Sequence, residues 1–450
     1  MKARTMNMTQ GDPARLMLRF SLPLLAGTVL QQLYNLVDAL VVGRGEGAKA
    51  LAAVSSTGWL DWALLGLILG LSQGFAIRIA HLFGAGNEKG LQKAAGHSLV
   101  LAGMVVIALE IFAQVLLQPV LQLMNTPPET FPLTLMYLRI TFGALPVVMG
   151  YNLLSGFLRS VGNSRTPLLS ITCSAVCNIL LDVLFVTVFR WGVAGVAAAT
   201  VISQVLSFAI CLAAVLKTPI FRLSKDDLHI TKAESAHLFK LGLPIAGQNL
   251  IISVGGLVLQ SVVNKQGFLF MTGYNAAGRM QGLMEMAGTA LRGAVSTFTG
   301  QNFGAGKMGR VKEGLQKAVV LAIVMAAVIG GTAALLSKPL LSLFLQDEKE
   351  IVDQVLIYGS RYLTFMGISL FALYLLFVFR SCLQGLGDTV TSMFSGVLEL
   401  FMRSGCALVL PLFMGEWGIY TAGIISWFGA AVLLAISCRK RLHKLCSNKT

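Results

Sequence analysis

The chain repeats apolar stretches along almost its whole length, and this pattern limits the fold more than any other feature. Twelve stretches reach about 20 residues, enough to cross a hydrocarbon layer of about 30 Å as a helix. Lipid offers no hydrogen-bond partners to a peptide backbone, so each stretch is predicted to be a transmembrane α-helix. The predicted spans are 18–43, 51–77, 95–118, 133–157, 167–189, 193–216, 238–264, 268–299, 315–345, 355–379, 389–413 and 417–438.

The charges support a membrane protein and argue against a nucleic-acid partner. Only 12% of the 450 residues are charged, against about 25% in soluble domains. The net charge is +15, but most lysines and arginines fall in loops of one predicted face. That bias predicts a multi-pass protein of the plasma or inner membrane with both termini in the cytoplasm. We expect no nucleic-acid partner and no obligate protein partner. The opposite face carries Arg44, Lys49, Arg190, Lys265, Lys338 and Lys349.

Internal echoes indicate two halves built on one plan. Phe83-Gly84-Ala85-Gly86 returns as Phe303-Gly304-Ala305-Gly306, and Pro23 and Trp191 have counterparts 220 to 226 positions later. The longest polar connection, 217–237, leaves six spans on either side. The predicted domains are therefore an N-terminal bundle (1–216), a cytoplasmic linker (217–237) and a C-terminal bundle with a basic cytoplasmic tail (238–450). Six is even, so the halves are expected to be parallel repeats related by a pseudo-twofold axis along the membrane normal.

The first span carries a polar stripe on an otherwise apolar helix. Gln31, Tyr34, Asn35 and Asp38 recur at the spacing of one helix face. A carboxylate at the centre of a membrane helix costs about 2.5–3.5 kcal/mol on insertion scales, so Asp38 is predicted to have a functional role.

A second acid is predicted to meet Asp38. Asn178 and Asp182 lie four residues apart on the fifth span, and Thr200 begins a polar stripe on the sixth. Asp38 and Asp182 fall at similar predicted depths. Such a cluster suits a proton, or a hard cation such as Na⁺ held by Asp38, Asn178 and Asp182. The alternative reading is hydrogen bonding between helices without ion binding.

The second half holds further polar and polarisable candidates for a substrate cavity. These are Gln248, on a seventh span without an acid, and Met280, Met284 and Glu285 on the eighth. Methionine suits adaptable binding surfaces but equally suits plain packing, and Glu285 could simply pair with Arg292. The sequence shows no glycine-rich nucleotide loop, zinc spacing or nucleophile–base set. We therefore expect neither an enzyme nor a cofactor, with H⁺ or Na⁺ as the only bound ion.

At this point the motifs resemble a known family. Gly300-Gln301-Asn302-Phe303-Gly304-Ala305-Gly306 resembles a hallmark of the multidrug and toxic compound extrusion (MATE) family, and the Leu158–Asn163 loop fits the same pattern. The resemblance implies a secondary antiporter that exports bulky, often cationic or amphipathic compounds in exchange for H⁺ or Na⁺ by alternating access.

Within the family, the sequence resembles the DNA-damage-inducible type. That resemblance implies that the ion-coupling set consists of Tyr34, Asp38, Asn178, Asp182 and Thr200, with Asn152 a looser candidate. In the first half, the candidates for the substrate cavity are Gln31, Asn35 and Asn152.

Two other functions remain open from the sequence. A flippase for a lipid-linked precursor would favour a strongly cationic cavity, whereas the candidate charges of the first half are acidic. A non-transporting membrane scaffold would leave the paired intramembrane acids without a role.

Overall fold

The computed structural model describes residues 5–45, 53, 58–342 and 349–447, and most of these are helical. A π-helical turn (Leu184–Val188) follows the sixth helix, and two short 3₁₀ turns (Pro219–Phe221 and Lys225–Leu228) follow the seventh. The helices are α1 (Pro13–Gly45), α2 (Gly58–Gly84), α3 (Glu88–Leu123), α4 (Phe131–Phe142), α5 (Leu145–Ser160), α6 (Arg165–Val183), α7 (Gly192–Lys217), α8 (Lys232–Asn264), α9 (Phe268–Gly304), α10 (Met308–Leu335), α11 (Ser337–Ser342), α12 (Lys349–Gly385), α13 (Thr389–Val409), α14 (Pro411–Met414) and α15 (Glu416–Ser447).

The helical membrane fold predicted from the apolar stretches is confirmed. In the described ranges, ten helices are long and apolar enough to cross a membrane, and the bent pair α4–α5 forms an eleventh span. The remaining predicted span, 268–299, corresponds to α9, which is 37 residues long and carries several charged side chains. The predicted span ends at 51 and 345 lie outside the described residues, as does Lys49.

One predicted span, 133–157, is broken in two. Helices α4 and α5 meet at an angle of 44°, with Gly143 and Ala144 between them. Pro146 occupies the first turn of α5. Proline has no N–H to bond to the carbonyl four residues back, here that of Phe142, and its ring clashes with that carbonyl, so the break follows from this residue.

The echoes in the sequence correspond to turns with the same backbone geometry. Gly86 and Gly306 both have positive φ, 68° and 70°. Each turn closes with matching bonds, such as Asn87 N–H to Leu82 O and Lys307 N–H to Asn302 O. Only glycine adopts this conformation without strain, and the pattern is that of a helix C-terminal cap. The tight-turn interpretation of Gly-Ala-Gly is therefore confirmed at both positions.

The chain divides into two compact units, and two of the three boundaries between them fall inside helices. Unit 1 comprises 1–7 and 26–246, and unit 2 comprises 8–25 and 247–450. The first part of α1 therefore belongs to unit 2, and the first part of α8 belongs to unit 1. These units group residues by how they pack, so the predicted domains (1–216, 217–237 and 238–450), drawn from composition, stay a prediction.

The core of unit 1 is formed by apolar side chains of α2, α3, α5 and α7, with Ala246 of α8. The polar linker packs against this unit. Arg78 forms a two-pronged ion pair with Glu234, at 2.8 and 3.1 Å. The buried His97 ring accepts a hydrogen bond from the Thr231 N–H at 2.9 Å. These contacts explain why the first part of α8 is part of unit 1.

Candidate ion-coupling site

Three helices of unit 1 contribute the predicted ion-coupling residues. Tyr34 and Asp38 lie four residues apart on α1, so they share one face. Asn178 and Asp182 do the same on α6, and Thr200 lies on α7. Helices α6 and α7 pack against each other. α1 lies beside α6 at Gly27, where a Cβ would be in van der Waals contact with Ile171 Cδ1, at 3.4 Å.

The structure brings the two acids together. Asp38 and Asp182 face each other closely enough to interact directly, although they are 144 positions apart in sequence. The Tyr34 hydroxyl lies beside Thr200 and within electrostatic range of both carboxyl groups. Asp182 and Asn178 are fully buried, and Thr200 is 7% exposed. The structure therefore brings these residues of α1, α6 and α7 together, and their role in ion coupling stays a prediction.

Several polar atoms of this cluster have no hydrogen-bond partner. Within the described part of the chain, no hydrogen bond reaches Asp38 Oδ1, either carboxylate oxygen of Asp182, the side-chain amide of Asn178 or Thr200 Oγ1. A buried polar group without a partner costs about 1–3 kcal/mol. Carboxylate, amide and hydroxyl oxygens are the ligands that hard cations prefer, and two facing carboxylates also hold a proton readily. The arrangement can therefore bind H⁺ or Na⁺.

Two residues at the same site were not among the sequence candidates. Tyr137 on α4 is 8% exposed and lies within electrostatic range of Asp38, Asp182, Tyr34 and Asp61. Asp61 begins α2, in a span without a polar stripe, so spacing gave no reason to choose it. The sequence could have indicated Asp61 only by its position along its helix. Asp61 lies three residues after the start of α2, and Asp38 lies seven residues before the end of α1. At 1.5 Å per residue these depths differ by about one helical turn.

The remaining candidates of the first half bond within their own helices. Asn35 Nδ2 donates to Gln32 Oε1 at 3.3 Å on the exposed side of α1. Asn152 Nδ2 donates to Val148 O at 2.8 Å, one turn back along α5. Gln31 is exposed. These three residues therefore stand apart from the enclosed cluster, and a role in a substrate cavity stays a prediction.

The candidates of the second half are buried in unit 2. Gln248 is 2% exposed and donates to Ser392 O at 2.7 Å, while its Oε1 accepts from Gln384 at 3.2 Å. Met280 and Met284 are 8% and 6% exposed, so both pack as core residues. Glu285 Oε1 accepts a hydrogen bond from Gln281 Nε2 at 2.7 Å.

Comparison with known proteins decides the family. The MatE family model matches residues 23–184 and again 244–403, so the repeat inferred from the sequence is two copies of one unit. The chain belongs to the MatE family, the MATE transporters. It is thus a multi-pass membrane transporter and not an enzyme.

Individual relatives give the same assignment. The chain is similar to the probable multidrug resistance protein YpnP of Bacillus subtilis, at 33% identity over 303 residues, covering 67% of this chain and 68% of that protein. It is also similar to a protein of Shewanella oneidensis named FAD transporter, at 23% identity over 96% of this chain and 95% of that one. A crystal structure of a MATE protein in complex with MaL6 has a TM-score of 0.92, 23% identity and 99% coverage of both chains. That likeness establishes the fold.

Proposed function

We propose that this MATE transporter exports bulky amphipathic drugs or toxic compounds, cationic ones among them, in exchange for H⁺ or Na⁺. The observation that carries the proposal is the cluster of Asp38, Asn178, Asp182 and Thr200, in which Asp38 Oδ1 and the side-chain polar atoms of the other three residues have no hydrogen-bond partner in the described part of unit 1. Relatives named multidrug resistance proteins support drugs as substrates. The positive-inside bias supports a plasma-membrane location with both termini in the cytoplasm.

Coupling of drug export to the ion follows from binding of the ion at the carboxyl groups of Asp38 and Asp182. An incoming H⁺ or Na⁺ neutralises one of the two negative charges of the Asp38–Asp182 pair and supplies a partner for oxygens that lack one, which stabilises one packing of α1 against α6 and α7. Loss of the ion restores the charge and favours another packing. An ion can drive export only when its affinity differs between the two states, and drug affinity must differ in the opposite sense.

The first prediction tests this pair by gradient-driven efflux of ethidium. Asp38→Asn removes the titratable oxygen but keeps the size of the side chain, so we expect export to fall to the background of cells without the protein. Efflux is measured in everted vesicles under an imposed pH gradient and, separately, an imposed Na⁺ gradient. The gradient that drives export in the native protein identifies the coupling ion.

Asp226→Asn, in the exposed linker, is the matched control and should export at the native rate. Native export by Asp38→Asn, with equal protein in the membrane, would reject the coupling role. An inactive native protein under both gradients would instead favour the lipid-precursor flippase.

A further inference from the structure

Unit 2 contains a charged cluster that the ion-coupling site does not use. Glu399 on α13 is 4% exposed and Arg380 on α12 is 3% exposed. Glu399 Oε2 accepts from Arg380 Nη2 at 3.0 Å, and its Oε1 accepts from Arg403 Nη2 at 2.5 Å. One carboxylate therefore serves two guanidinium groups, and buried charges persist only when they are paired in this way.

A second carboxylate lies in the same region and is held in a defined orientation. Glu285 on α9 accepts from Gln281, whose Oε1 in turn accepts from the Tyr362 hydroxyl at 2.8 Å. This chain of bonds fixes the carboxylate of Glu285 between α9 and α12. The charges within electrostatic range of it are Arg403, Glu399 and Arg292.

Arg292 is the member of this cluster without a partner. It lies on α9, two turns after Glu285, and is half-buried. Its guanidinium carbon lies 5.7 Å from the centre of the Phe377 ring. Among the residues that the structure describes, no hydrogen-bond acceptor and no carboxylate within 4.0 Å pairs with it.

The charges of the cluster do not cancel. Three guanidinium groups (Arg292, Arg380 and Arg403) face two carboxylates (Glu285 and Glu399), so one positive charge is uncompensated. Arg380 Nε is also enclosed and lacks an acceptor in the described residues. An unpaired charge at membrane depth is costly and usually marks a binding site.

We propose that Arg292 binds the anionic group of an amphipathic substrate. A guanidinium presents a planar fork of donors that fits a carboxylate, sulfonate or phosphate with two parallel bonds. The Phe377 ring beside it offers an apolar surface for the aromatic part of the same molecule. The proposal rests on the proposed function and extends its substrates from cations to zwitterions and anions.

The carboxylate of Glu285 lowers the affinity of this site for an anion. Its carboxylate is the nearby negative charge that would oppose an incoming anion, and it lies on the same helix as Arg292. Replacing Glu285 with Gln removes that charge while retaining an oxygen to accept from Gln281. The proposal therefore makes opposite predictions for the two neighbours: loss of Arg292 weakens anion binding, and loss of the Glu285 charge strengthens it.

The test, our second prediction, compares two dyes that share a xanthene core but differ in charge: anionic fluorescein and cationic rhodamine 6G. Binding is measured by fluorescence polarisation with the full-length protein in phosphatidylcholine nanodiscs. We expect Arg292→Gln to weaken fluorescein binding by about tenfold or more, the effect of losing a charge-assisted hydrogen bond. Rhodamine 6G binding should stay within about twofold, and Glu285→Gln should bind fluorescein more tightly than the native protein.

Arg279→Gln is the control, because Arg279 lies on the same helix but is exposed; it should leave both affinities unchanged. Equal fluorescein affinity in the native protein and Arg292→Gln would overturn the proposal. An equal loss in Arg279→Gln would do the same, since it would show a response to general surface charge. Arg292→Lys should retain only part of the affinity, because a lysine keeps the charge without the fork.

Two further points of the design identify the source of the anion and show whether the result depends on transport. Nanodiscs containing phosphatidylglycerol show whether a lipid headgroup occupies the site: competition with fluorescein in the native protein, absent with a neutral lipid, would assign the anion to lipid. The binding assay needs no ion gradient, so it succeeds or fails independently of the Asp38→Asn efflux test. Fluorescein binding that is lost in Arg292→Gln would therefore support the site even if ion-driven export failed.

Discussion

At the scale of single residues, two glycines of α2 allow α8 to approach at backbone distance. A Cβ at Gly74 would lie 2.3 Å from Gly242 Cα, and one at Gly70 would lie 2.4 Å from Ala246 Cα. Small residues at such crossings let helices pack closely in membranes. Our third prediction is that Gly74→Ala lowers the stability of the protein by about 1–3 kcal/mol, the usual cost of overpacking. The measurement is the thermal unfolding midpoint of purified protein.

Gly103→Ala is the control for that experiment. Gly103 lies inside α3, and a Cβ there would meet nothing within 4 Å. Alanine favours a helix over glycine by about 0.5–1 kcal/mol, so the midpoint should stay the same or rise. Equal midpoints for Gly74→Ala and the native protein would show that the crossing has room to relax.

At the scale of elements, the family hallmark at the end of α9 holds the segment that precedes α1. The Met8 N–H donates to Gln301 Oε1 at 2.8 Å, and Arg310 Nη2 donates to Gly11 O at 2.7 Å. Our fourth prediction is that Arg310→Gln loosens this segment, so that the Met8 amide exchanges its hydrogen about tenfold faster or more. Hydrogen exchange with mass spectrometry measures this directly.

Lys312→Gln, exposed on the same helix, should leave that exchange rate unchanged. A comparable acceleration in Lys312→Gln would attribute the effect to the loss of a basic charge near the segment. An unchanged rate in Arg310→Gln would mean that two other bonds suffice to hold Met8: its N–H to Gln301 Oε1, and Asn302 Nδ2 to Met8 O at 3.1 Å.

The elements also show what could be predicted from the sequence and what could not. Asp38 and Asp182 were predictable because intramembrane charge is costly and a helix repeats its face every three to four residues. The repeated turns were predictable because glycine at positive φ appears in the sequence as a fixed motif. Tyr137 and Asp61 were not, because their place at the site depends on how α2 and α4 pack. The contact between Arg380 and Glu399 could not be predicted for the same reason, because the two residues lie on different helices and no sequence spacing connects them.

At the scale of the whole molecule, two of the three unit boundaries follow a proline in the first helix of a repeat. Pro23 precedes the boundary between residues 25 and 26, and Pro244 precedes that between 246 and 247. A proline inside a helix removes one backbone hydrogen bond, so α1 and α8 are weakened next to the point where they pass from one unit to the other. We expect α1 and α8 to bend at these two prolines during transport.

Our fifth prediction follows from that placement. Pro23→Ala and Pro244→Ala each restore a helical hydrogen bond, so we expect both variants to fold and bind ethidium but to export it several-fold more slowly. Pro119→Ala is the matched control, because Pro119 also lies inside a helix but within unit 1, far from either boundary. The measurement is the initial rate of efflux from proteoliposomes at equal protein density. Equal slowing in all three variants would assign the effect to helix stiffness in general, whereas slowing confined to Pro23→Ala and Pro244→Ala would place the hinges at the unit boundaries.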